Sequence, residues 1–451
     1  MIRTGMILLL FALSAGMAAG DELAVTVYNS NLGVVSETRQ LDFSKGMGTL
    51  AFRDVPSQID VASVRFDLVE KTHKVAVLEQ NYVYDLISPE KLFSRYLDNK
   101  IELVDKSGAL YAGKLLAYSG GSVTLMDESG KVKIVSMAEM VQTNFPELPE
   151  GLITRPTLVW GYQSDYTGKL NSRVGYQTAG LNWSAEYVGL LNDKETNLEL
   201  SGWASIDNNS GKTYKDARLK LIAGEINRAT PPIRRGAMEA DFMAMSAPKA
   251  AGFEEKAFFE YHMYTLPRAA TLADNQNKQI SLFDPASTTV KKVYYYRPQR
   301  NATDVQVVVE FVNSTQAGLG MPLPAGRVRL FKADSDGSLI LLGEDQIEHT
   351  PKDEEMSLTV GTAFDIKAEE TLVNQTQVSK KVEDREFNIE LRNRKSEDVT
   401  IKIEKPLWGF WEITQSTHEY KKKDANTVTF EVPVKADSTA NVKYTVRFTN
   451  R

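Results

Sequence analysis

The chain has 451 residues, with 53 basic and 59 acidic side chains, a formal net charge of −6 and no cysteine. That length gives room for two to four domains of roughly 100–200 residues, and the mixed charge excludes a strong electrostatic pull toward nucleic acid or anionic lipid. Without cysteine there are no disulfides, thiolate metal ligands or thiol nucleophiles, so packed cores and strand ladders must supply the stability.

The chain opens on MIRTGMILLLFALSAGMAAG, with one early cation at Arg3, an apolar run from Met6 to Ala19, and small residues ahead of Asp21. This is the pattern of a secretory signal, and the run is shorter than the ~20 residues a membrane-spanning helix needs. The expectation is therefore an exported chain whose mature part starts near Asp21 and keeps no transmembrane span. An exported chain without disulfides fits a Gram-negative periplasm or cell surface best.

Past Asp21 the pattern is one of alternation, which predicts an all-β protein built from several sandwich or barrel modules in series. Residues 21–87 read as a strand meander with Asn-Ser-Asn and Lys-Gly-Met-Gly turns. SPEKLFSRYLDNK then predicts a short helix, with Ser88 as N-cap, Pro89 in the first turn and Leu92, Phe93 and Tyr96 along one stripe. Five short strands with glycine turns follow, so residues 88–145 are expected to form a small Sm-like barrel, closed by a proline-rich linker at 146–156. A larger β-sandwich region is expected over 157–375. It is broken by an Ala-, Met- and Pro-rich insertion at 227–256, read as a mobile loop or, through Met238, Phe242, Met243 and Met245, as a segment that touches a membrane or partner. Residues 376–451, with about seven short alternating runs, predict an immunoglobulin-like sandwich. Strands leading to Asn208, Asn313 and Asn393 share one plan, a polar turn or loop followed by another strand, consistent with Asx-type turns.

Two tryptophans separate on parity. In LNWSAEYVGLL, Trp183 shares a face with Leu181, Ala185 and Tyr187 and belongs to a core. In LELSGWASI, Trp203 shares its face with Glu199, Ser201 and Ser205, so either another element covers it or the indole is an exposed contact. KKVYYYRPQR places Tyr294 and Tyr296 on one strand face near cations, either as cross-strand packing or as a seat for a glycan or anionic polymer. Trp203, Tyr294 and Tyr296 are the candidate contact residues.

Other motifs dissolve on inspection. NNSGKT lacks the glycine five residues before its Gly-Lys, where Ile206 stands, and no helix follows. SPEK is explained by helix capping, and none of His73, His262, His349 and His418 has catalytic or metal-ligand spacing. DSDG at 334–337 reads as a hairpin turn, and EDQIEHTPKDEE at 344–355 as solvated charge.

Several segments taken in order, LNWSAEYVGLLN, LSGWASIDNNSGKTYKDARLKLIAG, MPLPAGRVRLFKADSDGSLILLGEDQIEHTPKDEEMSLTVGTAFDI and IELRNRKSEDVTIKIEKPLWGFWEI, resemble a bacterial exported family known as a domain of unknown function. Some of its members are named mucoidy inhibitor A-like. The likeness covers about residues 155–451 and touches VTVYNSNLGVVSETRQLDF in the first β segment. It implies a β-rich exported protein and brings no catalytic residues to carry over. Members with the mucoidy name carry long helical coiled-coil segments before this region, where the barrel-like segment 88–145 stands here.

The function expected is that of a non-enzymatic envelope protein that binds or scaffolds an envelope protein or glycan, with no nucleic acid, cofactor, metal or catalytic residue assigned. The alternatives are a hydrolase of peptide or glycan substrates, whose two carboxylates need not be close in sequence, and a self-assembling surface or filament component.

Overall fold

A computed structural model of the chain describes residues 22–147, 149, 152–224, 226–227, 254–258, 261–300 and 303–449. The expected signal at 1–20 and nearly all of the 227–256 insertion, including Met238, Phe242, Met243 and Met245, lie outside them. Alternation is realised as ladders: apart from the helix Pro89–Arg95 and a short 3-10 turn, Met137–Glu139, every regular element among the described residues is a strand. The all-β class holds.

The largest core is shared by distant parts of the chain. Leu23–Tyr28 pairs antiparallel with Gly33–Phe43 on one side and parallel with Tyr214–Ala223 on the other. Gly33–Phe43 in turn pairs with Gly168–Thr178, and that strand with Ile59–Leu68. Gly46–Arg53 and Val75–Val83 flank Thr157–Ser164 in a three-stranded sheet. Opposite them stands a five-stranded sheet in the order Gln276–Thr289, Asn197–Asn208, Leu181–Leu191, Gly326–Ala333, Leu339–Ile347. Val25, Phe52, Trp160, Trp183, Tyr187, Leu219 and Leu330 are all buried in the one cluster these sheets enclose. Each such side chain contributes about 1.5–3 kcal/mol by leaving water, so the strands between residues 23 and 83 are held in place largely by residues from 157 onward.

Residues 88–145 keep a core of their own. Ser88 Oγ accepts from the Lys91 N–H at 3.3 Å and Phe93 is buried, so the helix forms as its capping pattern required. Five strands follow in the order fifth, first, second, third, fourth. A third core lies in the C-terminal nine-stranded sheet. That sheet takes in Lys291–Tyr296 and Asp304–Val312 as well as the closing strands. One strand, Glu355–Ser379, runs without a break across position 375.

These cores bury several phenols. Burial first, then the Glu370 charge, pushes Tyr296 up to about 12, and burial likewise raises Tyr176, Tyr187, Tyr214 and Tyr444. An unfolded tyrosine ionises near 10, so the folded state holds more protons between these values and loses stability as pH rises through them. Unfolding free energy is expected to stay level from neutral pH to about pH 10 and to fall toward pH 12. Tyrosinate absorbance followed alongside circular dichroism checks this, since phenols that all ionise near 10 with the fold intact would contradict it.

Candidate functional site

Strand parity decides which side chains the five-stranded sheet shows to solvent. In Asn197–Asn208, Leu198, Leu200, Ala204 and Ile206 point into the core, while Trp203 points out and is 40% exposed. Gly202, on the inner face, leaves room for Phe283: a Cβ there would lie 2.4 Å from that ring. Immediately beside it the ladder slips, Gly202 pairing with Phe283 and Trp203 with Ser281, so a bulge in Gln276–Thr289 stands opposite the indole. Bulges redirect side chains and concentrate near binding sites.

Across the same face from Trp203 lies Glu186, and next to it Arg327. Glu186 accepts from Arg329 at 2.8 Å and from Arg327 at 3.2 Å, and Arg329 also donates to Glu344 at 2.9 Å. Those bonds to Glu186 push the Arg327 guanidinium above its already high range. On the other side Asn277 donates to Ser205 and Asp207, each at 2.8 Å. The result is an open sheet face with one large aromatic beside a lattice of guanidinium, carboxylate, amide and hydroxyl groups. Five strands at ~4.8 Å spacing make it about 20 Å across, which suits an extended ligand better than an enclosed small one.

Tyr294 and Tyr296 do share a strand face, but it is the inner one. Both are buried in the C-terminal core, Tyr296 with none of its surface exposed, because the strands packed over them fill that side. Tyr296 therefore offers no surface for a contact. Tyr294, also buried, differs in bordering a cavity: Lys395 donates to its hydroxyl at 3.0 Å, and it lines that cavity together with Lys292, Glu195 and Lys395. Trp203 is not part of that lining, so the three candidates do not form a single site.

The two most enclosed carboxylates near these places, Glu186 and Glu195, are already committed. Burial would raise the Glu195 carboxyl, but hydrogen bonds and charge from Lys292 and Lys332 outweigh it and hold it below the usual range. His349 Nδ1 accepts from the Ala325 N–H at 3.1 Å, and Asp345 accepts from the Thr359 N–H at 2.6 Å, so these members of the 344–355 run face different partners. Among the described residues no group of three His, Asp or Glu side chains converges as a metal site, and no helix is long and apolar enough to cross a membrane.

Parity alone put Trp203 on the outward side of its strand and left open whether another element covers it. Arg327 and Arg329 were readable as the outer positions of the alternating GRVRL, although nothing in the sequence tied them to Glu186, 141 and 143 residues away. The residues around Tyr294 carried no sequence signal beyond Lys292 in KKVYYY.

Residues 172–450 match the family model described as Domain of unknown function (DUF4139). No curated protein matches the chain.

Proposed function

The chain belongs to the DUF4139 family through a span that holds both the Trp203 face and the cavity beside Tyr294, and on that premise we propose an exported, non-enzymatic protein that holds another cell-envelope component on the Trp203 face. An extended glycan fits best. The indole supplies an apolar plane for a sugar ring, and the flanking Arg327, Arg329, Ser205 and Asn277 supply donors and acceptors along the chain direction. The observation that carries this reading is the exposure of Trp203 on a strand whose other outward residues, Glu199, Ser201, Ser205 and Asp207, are polar. Export draws support from the leader pattern at 1–20, and a bacterial envelope setting from the resemblance to members named mucoidy inhibitor A-like.

The hydrolase alternative draws less support. A glycosidase acid needs a raised pKa, whereas Glu195 is held low by its lysines and Glu186 is bonded to two arginines.

Trp203→Ala is expected to leave stability within about 0.5 kcal/mol, as exposed positions do, and to reduce retention of envelope polysaccharide at least about tenfold, the usual scale for an aromatic anchor. Crosslinking in the native envelope, with wild type and variant side by side, reads this out. Equal yields of the same adducts would end the proposal.

A further inference from the structure

Where the five-stranded sheet meets the C-terminal sheet there is a cavity of about 270 Å³. Its walls are apolar, with Leu191 and Leu342 from the first sheet and Val307, Val309 and Val360 from the second. The spacing of the strands that carry these walls is fixed by backbone contact: a Cβ on Gly343 would lie 1.9 Å from the Val360 carbonyl oxygen, so the strands touch directly beside Leu342. The space is thus preformed, as ligand sites usually are. That is room for a short chain of carbon atoms with its head group, at the small end of ligand cavities. Phe364, 91% exposed, stands at its edge. No folding argument explains so large an aromatic left in water there.

The far side of the lining is charged. The ammonium groups of Lys292 and Lys395 lie 5.8 and 5.5 Å from the centre of the Tyr294 ring. Lys292 pairs with Glu195, which also takes Lys332 at 2.7 Å, and Lys395 pairs with Glu397. Three ammonium groups therefore share two carboxylates, and one further carboxylate, Asp365, stands exposed in the lining. Glu397 is the replaceable partner. Its side chain is 59% exposed, so releasing it to water costs little, and an incoming anion would inherit Lys395 and the adjoining Tyr294 hydroxyl. Glu195, locked between two lysines, stays. With Glu195 and Asp365 close by, a head group bearing two negative charges is disfavoured.

We propose that this cavity binds a small amphipathic monocarboxylate, its apolar body against Leu191, Val309, Leu342 and Val360 and its carboxylate on Lys395 in place of Glu397. This is a second site, independent of the Trp203 face.

Calorimetric titration of the full chain with sodium octanoate tests it, with octanol and octyl phosphate as comparisons. One octanoate per chain is expected, bound more tightly than either comparison. Lys395→Gln is expected to weaken it about tenfold, the equivalent of 1.4 kcal/mol, and Glu397→Gln, which removes the competing carboxylate, to strengthen it severalfold. The Lys395 side chain is 27% and that of Glu397 59% exposed, so neither substitution falls in the core, and circular dichroism confirms that each variant is folded. Trp203→Ala is expected to leave octanoate binding unchanged, so failure of this site and failure of the surface reading are separable. The proposal is overturned if octanoate gives no heat at millimolar concentration, if octanol binds as tightly, or if Lys395→Gln binds octanoate as wild type does.

Discussion

Glu37→Ala lowers the stability of the first core by about 3–5 kcal/mol, the cost of leaving a buried charge without its partner. Lys212 is the charge left behind. Its ammonium lies 3.0 and 3.3 Å from the two Glu37 oxygens and 3.3 Å from the Tyr176 hydroxyl, which itself donates to Glu37 at 2.9 Å. Only 4% of the Lys212 side chain and 8% of that of Glu37 remain exposed. Burial already pulls the Lys212 pKa down against the opposing pull of Glu37, so removing Glu37 leaves the ammonium to lose its proton or the core to open. Arg39, the other cation on Glu37 and less enclosed, lies over the Phe52 ring and can turn toward water. The contact joins residues 175 apart in sequence and so fastens the early strands to the centre of the chain. Denaturant unfolding of Glu37→Ala, Lys212→Met and the double variant Glu37→Leu/Lys212→Met forms the measurement. The double variant is expected to regain most of the loss, since an apolar pair of similar volume replaces an ion pair at little cost. Additive losses would show that the two groups act separately.

The second large effect is expected at the three asparagines. Asn208 Nδ2 donates to the carbonyls of Lys212 at 2.8 Å and of Leu272 and Ala273 at 3.1 Å, while its Oδ1 accepts from the Ser210 N–H at 3.1 Å. Asn393 repeats the device, donating to Glu397, Val434 and Lys435 and accepting from the Lys395 N–H at 3.0 Å. Asn313 donates to Met321 at 2.7 Å and Pro351 at 2.8 Å, and accepts from the Gly320 N–H at 3.0 Å. All three are buried, so each alanine variant strands several backbone groups away from water at an expected cost of roughly 2–4 kcal/mol. Aspartate at these sites is expected to do at least as much damage, because it turns an acceptor toward carbonyl oxygens. Thermal melting of the Asn208→Ala, Asn208→Asp, Asn393→Ala and Asn393→Asp variants decides it. A loss below about 0.5 kcal/mol, the level of a surface change, would mean that the amides do not clamp these turns.

The shared plan around these asparagines was visible in the sequence because a polar residue ending an apolar run is a local signal. At Asn208 and Asn393 the amide oxygen does accept from the N–H two residues on, as an Asx turn requires. At Asn313 it reaches seven residues ahead to Gly320 instead, and only the fold reveals that. The same division runs through the molecule. Helix capping at Ser88, the hairpin at Asp334–Gly337 and the outward parity of Trp203 are properties of neighbouring residues, and so were legible. The parallel pairing of Leu23–Tyr28 with Tyr214–Ala223 was not, because alternation fixes faces but not partners. For the same reason the two sides of the cavity, Leu191 and Glu195 against Val360 and Lys395, could not be brought together from their positions in the chain. Tyr294 and Tyr296 show how parity can mislead: two aromatics beside lysines look alike whether the shared face is covered or open.

Because Leu23–Tyr28 is an interior strand whose second neighbour is Tyr214–Ala223, the order of synthesis matters. The emerging chain displays one bare edge of its first strand until residue 223 has left the ribosome. Such distant pairing folds slowly, and an uncovered edge recruits other chains. A nascent polypeptide of this topology therefore cannot close its first core until nearly half of the sequence has been made.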